Sequence, residues 1–89
     1  MMTLDNLRSK IDQIDSKLLE LISQRLKLVK EIGILKKQSD KKIQNRNREK
    51  EILNIVLLNA AHLDLDGKMI AKIWKIIIEQ SKLIQNKYL

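Results

Sequence analysis

Arg25 stands where the surrounding sequence places leucine. The series Leu18, Leu21, Leu28, Ile32 and Leu35 advances in steps of three and four, and Arg25 falls on the same count. An unpaired guanidinium in an apolar seam costs several kcal/mol, so the position demands compensation. Lys36 follows eleven residues later and, at 100° per residue, returns to within ~20° of the same helix face. Two long cations about three turns apart can grip one anionic ligand from both ends. Ser81 and Gln85 interrupt a second apolar stripe between Ile77 and Tyr88, while Arg48 and Glu49 stand just ahead of a third that begins at Ile52.

Each of these sets has an ordinary reading: a snorkelling arginine or internal salt bridge, a frayed helix end, a capping pair. Taken together, mostly cationic and all compatible with one cavity, they read as a site for a compact polyanion. The remaining chemistry is sparse. There is no cysteine and His62 is the single histidine, which excludes a disulfide framework, a thiolate zinc site and a histidine-based triad or metal cluster within one chain. We expect neither metal nor cofactor.

The elements that carry these residues are helices. The chain has 89 residues, no proline, two glycines (Gly33 and Gly67) and two aromatics (Trp74 and Tyr88), too few turn-formers and β-favouring side chains for a sheet. From Leu4 the apolar positions Leu7, Ile11, Ile14, Leu18 and Leu21 continue through Leu28 to Leu35 as one heptad seam. We therefore expect a first helix over residues 4–38, with Thr3 as N-cap and Asp5 favourable in its first turn. A second is expected from a cap at Asn45 or Asn47 to about Ala61, and a third after a break at 62–67, capped by Asp64 or Asp66. The fold class is all-α, a single domain over residues 1–89 with three helices and a very long first one.

Thirty-five helical residues span roughly 52 Å, whereas a compact globule of this length is only ~31 Å across. The seam therefore overhangs any compact monomer, and leaving it in water forfeits about 1.5–3 kcal/mol per large side chain. An intertwined helical homodimer is the expected remedy. Arg8 fits that picture. It lies seventeen residues before Arg25, roughly 25 Å along the axis, too far to serve the same pocket within one chain but able to serve its partner's.

These residues stand in a pattern that resembles the all-helical chorismate mutases over nearly the whole chain. It includes Leu7-Arg8, Ile11-Asp12, Ile14-Asp15, Leu18-Leu19, Arg25, Ile32-Gly33 and Lys36, then Ile43, Arg48-Glu49, Leu65-Asp66, Ser81 and Gln85. The resemblance implies an intertwined dimer with two pockets and the Claisen rearrangement of chorismate to prephenate, a step toward the aromatic amino acids. It implies that Arg25, Arg48 and the other chain's Arg8 hold the two carboxylates, with Ser81 assisting. Lys36 and Gln85 would bond the ether oxygen and Glu49 the ring hydroxyl, between apolar walls at Ile32 and Ile78. Two positions depart from the pattern. Asn45 replaces an aspartate found in several relatives near the ring hydroxyl, leaving a backbone contact there, and Lys82 takes a usually apolar place beside the pocket.

Two alternatives remain beside this reading. An isochorismate-pyruvate lyase of the same fold would clamp an isomeric dianion. From another class, a basic helical module could bind nucleic acid: the net charge is +7, and Lys36 to Lys50 holds seven bases against Asp40 and Glu49. Two aromatics offer little base stacking, and Arg25 in a seam would be wasted on an external polymer. We expect no nucleic-acid partner. No apolar run approaches the ~20 residues of a membrane span, and the acidic start Thr3-Leu4-Asp5 is unlike a signal peptide, so a cytoplasmic protein is expected.

Overall fold

Thr3 starts the first helix as its sequence position suggests. Its hydroxyl oxygen accepts from the Asn6 backbone N–H at 3.1 Å and its carbonyl accepts from Leu7 N–H at 3.1 Å. In this computed structural model, which describes residues 2–39 and 46–88, helix α1 is Leu4–Ser39, α2 is Arg46–His62 and α3 is Gly67–Asn86. The all-α expectation and the long first helix hold, and no strand occurs among the described residues. The expected cap at Asn47 is corrected: this residue lies inside α2, and Asn45 lies outside the described residues.

The link between α2 and α3 is built from local backbone chemistry. Asp64 adopts a left-handed conformation with φ of 56°, which reverses the chain. Leu65 N–H then returns to Ala60 carbonyl at 2.9 Å and Asp64 N–H to Ala61 carbonyl at 3.3 Å, the paired bonds that close a helix C-terminus. Two residues later Asp66, extended at φ −66° and ψ 117°, accepts from Lys68 and Met69 N–H at 3.3 Å each and so caps α3. Of the two aspartates, Asp66 caps the helix and Asp64 makes the turn.

Helix α3 packs against both α1 and α2. The buried apolar residues among those described are Val29, Ala60 and Ile70, one from each helix, and Trp74 on α3 is half-buried. By contrast, every described residue ahead of Arg25 on α1 is exposed, and Leu4, Leu7, Ile11, Ile14, Leu18 and Leu21 are each 46–62 % exposed. The chain measures 58 × 23 × 15 Å with a radius of gyration of 16.5 Å. A compact chain of this length would have about 12 Å. The overhang follows from the 36 residues of α1. No helix among the described residues is long and apolar enough to cross a membrane.

Candidate active site

The C-terminal half of α1, the start of α2 and the end of α3 enclose a cavity of about 380 Å³. From α1 it receives Arg25, Ile32 and Lys36; from α2, Arg48 and Glu49; from α3, Ile78, Ser81, Lys82 and Gln85. Ser81 and Gln85 are 7 % and 8 % exposed, the two buried polar residues among those described. Their expected alternative, a helix end fraying into water, does not hold. Both are turned inward because they continue the apolar stripe of α3, and both are matched by cations from α1.

Arg25 donates from its guanidinium to the Ser81 hydroxyl at 2.7 Å, and that hydroxyl donates in turn to the Ile77 carbonyl at 2.8 Å. The Ser81 proton is thereby committed to α3's own backbone, which leaves the oxygen as an acceptor for Arg25. At the other end Lys36 Nζ donates to Gln85 Oε1 at 3.0 Å. An ammonium has no acceptor, so the amide oxygen must face it and the Gln85 amide nitrogen is left as a donor. Gly33 makes this crossing possible. A Cβ at that position would sit 3.1 Å from the Gln85 backbone Cα and 3.4 Å from its Cβ, so the missing side chain sets how closely α3 approaches α1.

The electrostatics fit a site prepared for negative charge. The Arg25 pKa is pushed below its ordinary value, first by burial and then by the nearby Arg48 guanidinium. Arginine remains protonated in spite of such a shift, so the cavity holds a partly desolvated charge near a like one. An anion seated between the two relieves both costs. Among the described residues no carboxylate pairs with Arg25, so the internal salt bridge weighed as an alternative does not form.

Among the described residues, Arg48 and Glu49 each form an ion pair with another side chain rather than with each other. Arg48 donates to Glu51 at 2.6 Å on the exposed side of α2. Glu49 instead forms an ion pair across to Lys82 on α3. Lys82, one of the two departures from the family pattern, lines the cavity. Ile32 and Ile78 line the cavity. The sequence reading passed over Leu28, Val29 and Ile52, which also line it and whose only signal was membership of the apolar stripes. Arg8 is exposed on the overhanging half of α1 and does not line the cavity. Of the basic segment between Lys36 and Lys50, Lys36 and Arg48 reach the cavity, whereas Lys37, Arg46 and Lys50 are exposed.

The family described as chorismate mutase type II matches this chain over residues 7–86. A chorismate mutase from Methanocaldococcus jannaschii is 36 % identical over 86 residues, covering 97 % of this chain and 87 % of that protein. The bifunctional chorismate mutase/prephenate dehydratase of Escherichia coli K12 is 37 % identical over 84 residues, 93 % of this chain but 22 % of the relative. That of Aquifex aeolicus is 41 % identical over 54 residues, or 61 % of this chain and 15 % of the relative. The chain thus spans most of a monofunctional relative and about a fifth or less of the bifunctional ones.

Proposed function

The chain belongs to the chorismate mutase type II family, and on that premise we propose that it is an isomerase that converts chorismate to prephenate by clamping the dianion. The reaction breaks the ether C–O bond, forms a C–C bond and loses no atoms. It needs no nucleophile, only a flexible substrate held in a chair-like shape while negative charge grows on the ether oxygen. The observation that carries the proposal is the Lys36–Gln85 pair, joined at 3.0 Å at one end of a cavity whose other end holds Arg25. There the ammonium and the free amide N–H can both be aimed at the developing oxyanion, and donors so placed contribute about 3–4 kcal/mol each.

Arg25, fixed by Ser81, and Arg48 take the carboxylates. The depressed Arg25 pKa supports this, because a carboxylate between the two guanidiniums removes the strain that lowers it. Glu49 accepts from the ring hydroxyl, and Ile32 and Ile78 flank the ring. The Asn45 contact lies outside the described residues.

The site is completed by a second copy of the chain. The uncovered seam ahead of Arg25 supports an intertwined homodimer, in which the partner's Arg8 supplies the remaining cation. Nucleic acid and membrane play no part in this reading, and a cytoplasmic location suits it.

One experiment tests it: purified protein with chorismate and, in parallel, with isochorismate, without added metal and then with EDTA, the products identified by nuclear magnetic resonance. Prephenate in both conditions is expected. Salicylate and pyruvate from isochorismate, with chorismate untouched, would transfer the same clamp to a lyase.

A further inference from the structure

Among the described residues, Lys82 is the one cavity cation to which the proposed reaction gives no role. Its ammonium pairs with Glu49 across the α2–α3 boundary, and both side chains are drawn well out of water, at 32 % and 22 % exposure. The neighbouring pair, Arg48 with Glu51, is 57 % and 60 % exposed and typical of a helix surface. Lys82 lies one residue beyond Ser81 and three before Gln85, on the edge of the α3 face that fills the site. Among the described residues, the Glu49 Oε1 that meets it makes this ion pair but has no hydrogen-bond partner, and it is closed off from water.

A bare carboxylate at this point would oppose a dianion entering the same cavity, since like charges at a few ångströms in a partly desolvated site repel strongly. Yet a carboxylate is useful there as an acceptor for a hydroxyl. We propose that Lys82 is a positioning residue that reconciles the two: it cancels the Glu49 charge toward the incoming carboxylates and fixes one Glu49 oxygen, so that the other faces the cavity as an acceptor. This rests on the clamp described under Proposed function. The charged groups that line the cavity with Glu49 are Lys82 from α3, Arg48 from its own helix, and Arg25 and Lys36 from α1. Among the described residues Lys82 is the cation whose ion pair with Glu49 is formed, and so Lys82 sets how much of that charge the substrate meets.

The test is a double-variant cycle in the full chain, measured on chorismate after wild-type turnover is established. Lys82→Met keeps the stem and removes the charge. It is expected to raise KM ~10-fold with kcat nearly unchanged, because charge repulsion acts on bound substrate and transition state alike. Lys82→Arg should restore most of the loss. In a Glu49→Gln background the same Lys82→Met change should raise KM less than ~2-fold, since no bare carboxylate is left behind. Calorimetric binding of prephenate to the four proteins gives the same cycle where turnover is too slow to read.

Equal penalties in both backgrounds would mean that Lys82 acts on the substrate directly or only on packing, and would overturn the proposal. So would an unchanged KM in Lys82→Met with wild type active. A wild type that binds and converts no chorismate would bring down the clamp itself, and this inference with it.

Discussion

Replacing Gly33 by alanine tests whether the approach of α3 to α1 is what aims Gln85. Neither glycine has a positive φ, so alanine fits the backbone at both, and in a helix interior it gains about 1 kcal/mol of intrinsic preference over glycine. At Gly33 the new methyl would lie 3.1 Å from the Gln85 Cα and 3.4 Å from its Cβ and Cγ. Relaxed carbon contacts need about 3.5–4.0 Å, so α3 must withdraw by roughly half an ångström. Such overpacking costs about 1–3 kcal/mol, and the net loss of stability is then about 0–2 kcal/mol. The same withdrawal stretches the Lys36–Gln85 hydrogen bond, now 3.0 Å, toward the ~3.5 Å where it ceases to count as one. Forfeiting about a fifth of what such a donor pair contributes in the transition state lowers kcat roughly tenfold. KM should move much less, because Arg25 and Arg48 are untouched. Gly67 supplies the control. A Cβ there meets only Leu57 Cδ2 at an ordinary 3.7 Å, so Gly67→Ala should gain about 0.5–1 kcal/mol and keep its kcat. Urea unfolding followed by circular dichroism gives the stabilities, and the loss of chorismate absorbance gives the rates. Wild-type kcat in Gly33→Ala, or equal losses in both variants, would refute the reasoning.

Lys36→Ala should lose at least ~100-fold in kcat, whereas Lys37→Ala, exposed on the adjacent position, should stay within about twofold; similar effects in steady-state kinetics would favour a diffuse basic surface over an aimed site. Arg8→Ala and Lys36→Ala homodimers should each be crippled, yet unfolding and refolding them together should recover about a quarter of wild-type activity, since half the dimers are mixed and carry one intact pocket of two. No recovery, with mixed dimers confirmed by native mass spectrometry, would place Arg8 outside the partner's site. Asp64→Gly should raise stability in urea by about 0.5–1 kcal/mol without altering kcat, because the left-handed φ of 56° that Asp64 must adopt is open to glycine without strain. A loss of stability would show that the aspartate side chain contributes more there than its backbone costs.

What the sequence determined by itself is the part of this protein governed by local rules. Helical periodicity set α1 to within a residue of its observed end, because three-four spacing is a property of one helix and needs no partner. The same arithmetic placed Arg25 and Lys36 on one face, and the cavity they line follows from it. It also gave Thr3 as a cap, whose bond is made three residues along the chain. Where two local solutions were close in energy, the sequence left them open. Asp64 and Asp66 can both cap, and only the path of the chain from α2 into α3 sent one into the turn and the other onto the helix. Tertiary structure alone decided the pairings between elements: Arg25 with Ser81, Lys36 with Gln85, and Glu49 with Lys82 rather than with its neighbour Arg48. These partners are separated by tens of residues and depend on the angle and distance at which α3 meets α1 and α2. That approach is controlled by an absence, the missing Cβ of Gly33, whose meaning appears only when the Gln85 backbone is laid against it.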